Sequence, residues 1–117
     1  MDVNFESHTS YLFAHLSGRY SLSGMFAAID SIAVQAAKEH AKRVLVHVSI
    51  SGDAPMAERY QYATYAATVL SSLDKCAAYA GADQRVELFT ELVAQNRGLE
   101  LRVFADFSTA ARWLIRE

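Results

Sequence analysis

The chain reads as an α/β protein: a mostly parallel five-stranded sheet with one antiparallel edge strand, in the order β-β-α-β-α-β-α-β-α. Three observations lead there. Short apolar runs rich in β-branched and aromatic residues alternate with longer stretches whose apolar positions recur at helical spacing. Such alternation implies right-handed crossovers and parallel strands. The first two strand-like runs are separated only by His8-Thr9-Ser10, short enough for a hairpin, so the first strand is an antiparallel edge.

Asn4 to Ser7 is the short first strand, and the aromatic, apolar run Tyr11 to Ser17 is the second. Ser21 to Gly24 suits a helix start, with Ser23 as its cap. Met25, Ile29, Ile32 and Ala36 then recur on one face, opposite Ser31, Gln35, Lys38 and Lys42, which makes the first helix amphipathic. The β-branched run Val44 to Ile50 is a central strand, with Val46 and Val48 expected to be almost fully buried. Ser51-Gly52-Asp53 is a turn, and Pro55 opens a second helix expected to run to about Leu73. Lys75 to Ala80 is the fourth strand. Asp83 caps a third helix carrying Val86, Phe89 and Val93 on one face, and Gly98 in the left-handed position ends it, with Leu99 as the contact beyond. Leu101 to Phe104 is the fifth strand. Ser108 caps the last helix, which carries Ala111, Trp113, Leu114 and Ile115.

The strands are two-faced. Val44, Val46, Val48 and Ile50 oppose Leu45, His47 and Ser49; Leu12, Ala14 and Leu16 oppose Tyr11, Phe13 and His15. One sheet face is aliphatic and the other aromatic and partly polar, so the helices are expected mainly on one side.

Composition narrows the function. The 117 residues, with 52% apolar and 21% charged, make one domain, residues 1–117. Eleven basic and 13 acidic residues give a net charge of −2, leaving no cationic surplus for nucleic acid. The single cysteine, Cys76, excludes an internal disulfide and a thiolate zinc cluster. The first residues lack a basic segment followed by a long apolar one, and Met25 to Ala37 is interrupted by Asp30 and too short to span a bilayer. A cytoplasmic protein without a transmembrane segment is expected.

The C-terminal part carries Ala77-Ala78-Tyr79-Ala80, Phe89-Thr90-Glu91-Leu92-Val93-Ala94, Asn96-Arg97-Gly98, Arg102-Val103-Phe104-Ala105-Asp106 and Ala110-Ala111-Arg112-Trp113-Leu114. Residues 75–117 thereby resemble the end of STAS-like domains, the group related to sulfate-transporter and anti-sigma-factor-antagonist domains, in its broad STAS/Sec14-like branch. The resemblance implies a βα superhelix. Phosphorylatable members of that family carry an Asp-Ser-Ser-Gly-type motif at the start of the second helix. This chain has Ser51-Gly52-Asp53-Ala54-Pro55-Met56-Ala57 there, so the serine switch is not carried over, and Ser49 and Ser51 are only neighbours of its place.

Catalytic signatures are missing. His15 and His47 share the less apolar sheet face but have no third ligand, which argues against zinc and for hydrogen-bonded, partly buried imidazoles. No nucleophile elbow, phosphate loop or dinucleotide fingerprint occurs. Neither a catalytic residue, a cofactor nor a metal is assigned. Asp53, just before the second helix, is expected to cap it. On that helix Met56, Tyr60, Ala63, Ala67 and Leu70 form one apolar side, and Tyr62, Tyr65, Val69 and Leu73 form a second arc, interrupted by Glu58 and Arg59. The second arc serves either neighbouring helices of the same chain, a second subunit or an apolar ligand. The expectation is a non-enzymatic regulatory or protein-interaction module, homodimeric and with protein partners; the alternative is a carrier or sensor of a small apolar ligand, as in Sec14-like lipid binding. Its candidate surface comprises Tyr62, Tyr65, Val69, His15, His47 and Asp53.

Overall fold

The computed structural model describes residues 1–80, 93, 95 and 97–116. Its elements are β1 (Asp2–Ser7), β2 (Leu12–Arg19), α1 (Leu22–Glu39), β3 (Arg43–Ser51), α2 (Met56–Val69), β4 (Lys75–Tyr79), β5 (Leu101–Phe104) and α3 (Phe107–Ile115). The strands lie in the order β1-β2-β3-β4-β5, with β1 antiparallel to β2 and every other pair parallel. This is the mixed sheet with an antiparallel edge that the alternation predicts, with three helices labelled among the described residues. The expected helix with Asp83, Val86 and Phe89 lies outside the described residues; Val93 and Gln95 are helical.

Local chemistry explains most boundaries and corrects three caps. Ser21, not Ser23, caps α1: its hydroxyl accepts from the Gly24 N–H at 3.0 Å. Ser21 stands two residues earlier, and the Met25 N–H reaches back to its carbonyl at 2.9 Å, so Ser23 already lies inside the helix. His40 ends α1 in the left-handed region, φ 56°, and the Ala41 N–H reaches back to the Ala36 carbonyl at 2.8 Å. Asp106, not Ser108, caps α3, accepting from the Thr109 N–H and the Thr109 hydroxyl, both at 2.8 Å. Asp53 does not cap α2: the N-cap is Pro55, without a side-chain bond, because Asp53 lies two residues too early. The helix also stops at Val69 rather than Leu73. The chain must turn there so that the Asp74 N–H can reach the Lys42 carbonyl at 2.7 Å and start β4 beside β3.

The sheet is covered on both faces, unequally. Leu12, Ala14, Leu16, Val44, Val46, Cys76, Ala78 and Leu101 pack with Met25, Ile29, Ile32 and Ala36 of α1 and with Tyr62 and Ala67 of α2. On the other face, Phe13, Leu45 and Ala77 receive Ala110 and Leu114 of α3. Of the three labelled helices among the described residues, α1 and α2 lie on one side of the sheet and α3 on the other. Val46 is buried as expected, but Val48 and Ile50 are only partly buried. They lie past the end of the helical cover and line a cleft.

Candidate functional site

The cleft sits at the carboxyl ends of the parallel strands, where open α/β sheets characteristically bind ligands. It measures about 530 Å³ and is lined by the end of β3, Val48 to Ser51, by Gly52, Asp53 and Ala54 of the following turn, and by Tyr20, Met25, His47, Arg59, Tyr62 and Ala80. Gly52 allows the turn, its φ of 87° being available to glycine at little cost. The Tyr20 N–H donates to the Ser51 carbonyl at 2.8 Å, and the Ser51 hydroxyl lies 3.4 Å from the Gly18 carbonyl, so the ends of β2 and β3 are tied together.

The polar groups around it are differently engaged. The Tyr20 hydroxyl donates to Glu58 Oε1 at 2.9 Å. Burial, and next the Glu58 carboxylate, hold this phenol protonated far above its usual range. Arg59 makes no ion pair among the described residues, and its buried Nε has no hydrogen-bond partner among them. Asp53 is exposed at the rim, its carboxylate free of the helix start.

A second arrangement leads to the cleft across the sheet. Asn4, His15, His47, Tyr79 and Phe104 occupy successive register positions from β1 to β5. Glu6 Oε2 lies 2.8 Å from His15 Nε2, and His15 Nδ1 lies 3.4 Å from His47 Nδ1. Which ring nitrogen donates and which accepts along this row is set by the tautomers of the two histidines. Phe13 stacks on His15 with centroids 4.2 Å apart, and His47 stacks on Tyr79 at 4.7 Å. Burial raises the Tyr79 phenol, helped by Tyr11 and Glu6. This row can orient an imidazole; no side-chain hydroxyl or thiol is bonded to either histidine among the described residues. Nor do three or more His, Cys, Asp or Glu side chains converge on a metal position among those residues.

Of the six residues singled out from sequence, Asp53 and Tyr62 line the cleft and His47 borders it, with its ring stacked on Tyr79. His15 stands one strand away. Tyr65 and Val69 face elsewhere: the Tyr65 ring meets Phe26 of α1 at 4.8 Å, its hydroxyl donates to Asp30 at 2.5 Å, and Val69 packs on the main core. Tyr62 is 8% exposed. Tyr62, Tyr65 and Val69 of the second arc of α2 thus make contacts with α1 and the main core of their own chain. Met56 and Tyr60, expected toward the sheet, are instead 55% and 44% exposed, because only Ala63, Ala67 and Leu70 of that side reach the core. Sequence reasoning missed Arg59, Tyr20 and Glu6. Arg59 did carry a signal, as a cation in the first turn of an apolar helix that follows a strand's carboxyl end.

No family model matches the chain, and no curated protein matches it. No helix among the described residues is long and apolar enough to cross a membrane.

Proposed function

We propose that the chain is a non-enzymatic regulatory module of STAS-like type that reads a small molecule bound in the cleft at the carboxyl ends of β3 and β4. The observation that carries this reading is a cleft of about 530 Å³ at the carboxyl ends of the parallel strands, where such sheets hold ligands, lined by the charged Arg59 and Asp53 beside Tyr62 and the apolar Val48 and Ile50. Two features support binding rather than turnover. The thiol of Cys76 lies in the core, where burial pushes it up to about 12, so it is a poor nucleophile. The imidazole row ends on an aromatic ring, Tyr79, rather than on a nucleophile. The mixed lining, with Val48, Ile50 and Met25 beside Arg59 and Asp53, favours an amphipathic ligand over a wholly apolar one.

Native mass spectrometry of protein purified from its own host tests this. The expected result is a one-to-one small-molecule adduct that is missing from Ile50→Trp, which enlarges a partly buried side chain of the cleft wall. A wild-type protein that carries no adduct, and whose melting no extract of host metabolites shifts, overturns it.

A second reading, contact with a protein partner or a second copy, draws on the exposed Met56 and Tyr60. Tyr60 also borders a shallow apolar groove between α1 and α2, lined by Leu22, Phe26 and Tyr65. Sedimentation at micromolar concentration, with Tyr60→Glu as control, distinguishes it.

A further inference from the structure

We infer that the cleft's ligand is a small monocarboxylate with an apolar body, its carboxylate held by Arg59. This rests on the cleft reading above and adds the ligand's chemical class. The argument begins with charge. Arg59 and Asp53 are the charged residues of the lining. Glu58, the carboxylate next to Arg59 in sequence, is engaged by the Tyr20 hydroxyl at 2.9 Å. Successive residues of a helix do not face each other, so Glu58 is poorly placed to serve Arg59 as well. Arg59 is partly buried, joins no ion pair among the described residues, and keeps a buried Nε without a partner among them. The Nε is sealed from the cleft, so a ligand there would be met by the terminal Nη donors of the guanidinium, whose planar pair matches the edge of a carboxylate or a phosphate.

Asp53 selects between those two anions. A dianionic phosphate would bring a second negative charge into a lining that already holds a carboxylate. Arg59 and Asp53 leave the lining neutral, so a monocarboxylate adds one net negative charge where a dianionic phosphate adds two. The remainder of the wall sets the body of the ligand: Val48, Ile50, Met25 and Ala54 are apolar. A volume of about 530 Å³ falls in the range of sites for ordinary small molecules.

The experiment is a ¹H–¹⁵N titration of the full chain with octanoate and benzoate, with octanamide and benzamide as neutral counterparts and with inorganic phosphate. The carboxylates should move the Arg59 side-chain Nε–H resonance together with the amides of Val48 to Ala54. The amides should bind at least about tenfold more weakly, and Arg59→Gln should weaken carboxylate binding by about 10–100-fold, the range of a charge-assisted hydrogen bond. If Arg59→Gln does not fold, the wild-type Nε–H shift and the carboxylate-to-amide ratio decide alone. Equal binding of amides and carboxylates in the cleft overturns the Arg59 inference and leaves the cleft reading standing. Phosphate moving the same resonances at lower concentration than either carboxylate overturns the monocarboxylate class. No probe moving any cleft resonance overturns the inference; the cleft reading then stands or falls on the native adduct.

Discussion

Asp106 shows how a single side chain couples this fold to pH. Its carboxylate accepts two hydrogen bonds from Thr109, first from the backbone N–H and then from the hydroxyl, and these hold it below the usual aspartate range. The folded state therefore binds this proton less readily than the unfolded chain. The stabilisation is complete above the unfolded value and is lost as pH falls through the folded one. Asp106→Asn keeps an acceptor for the cap but cannot titrate. It should melt close to wild type at neutral pH and lose less stability than wild type between about pH 5 and about pH 2. Equal acid slopes in thermal melts at several pH values would refute this. Glu39, lowered by Ser7 and then Gln35, supplies a separate acid-sensitive contribution that remains in the variant. Cys76 makes the opposite kind of statement. Burial alone raises its thiol, so alkylation in native buffer should proceed only through unfolding, at a rate that rises steeply with denaturant. Rapid native labelling would place β4 differently. The site was legible at this level only in part. His15 and His47 could be put on the polar sheet face by alternation, yet Glu6 could not be joined to them without the β1–β2 register, which pairs Asn4 with His15.

The helices separate what spacing can foretell from what it cannot. Apolar recurrence placed α1 and its buried Met25, Ile29, Ile32 and Ala36 correctly, because a single stripe against one sheet has one solution. On α2 two apolar sides compete for one sheet and one neighbouring helix, and side-chain size decides the outcome. Ala63 and Ala67 let the backbone approach the core, whereas the Tyr65 ring fits against Phe26 with its hydroxyl on Asp30. Spacing alone carries no information about which neighbour arrives. A test follows from the location of these tyrosines. Tyr62→Glu would bury an unpaired carboxylate in the main core, a cost of several kcal/mol and a large share of a small domain's stability. Tyr62→Glu combined with Tyr65→Glu should therefore abolish the cooperative melt. A folded double variant with a smaller sedimentation coefficient than wild type would instead return the arc to a dimer interface. Cap positions were the least legible feature. Ser21, Asp106 and Pro55 each lie two places from the expected residue, and capping is decided by local geometry and single hydrogen bonds rather than by periodicity.

Taken together, the sheet carries two cores of very different size. The α1–α2 side gathers most of the buried residues, while the α3 side holds Phe13, Leu45, Ala77, Ala110 and Leu114. Leu45 and Leu114 are fully buried, and α3 is the only labelled helix of the described residues on that face. The smaller core depends on one short helix of nine residues, below the length at which an isolated helix is stable in water. Its anchoring side chain is Leu114. Lys75 adds bonds from its ammonium to the Trp113 carbonyl at 3.2 Å and the Arg116 carbonyl at 2.7 Å, and these hold the helix end against β4. Leu114→Ala should cost about 2–5 kcal/mol through lost transfer energy and the cavity it leaves. Because the larger core does not touch Leu114, the loss should be local first. Amide exchange should quicken across α3 and along the middle of β3 and β4, where Leu45 and Ala77 face it, while α1 keeps its protection. The Val46→Asp variant gives the contrast: a carboxylate in the larger core should bring all elements down together. Uniform exchange in Leu114→Ala, indistinguishable in pattern from Val46→Asp, would show that the two faces unfold as one cooperative unit.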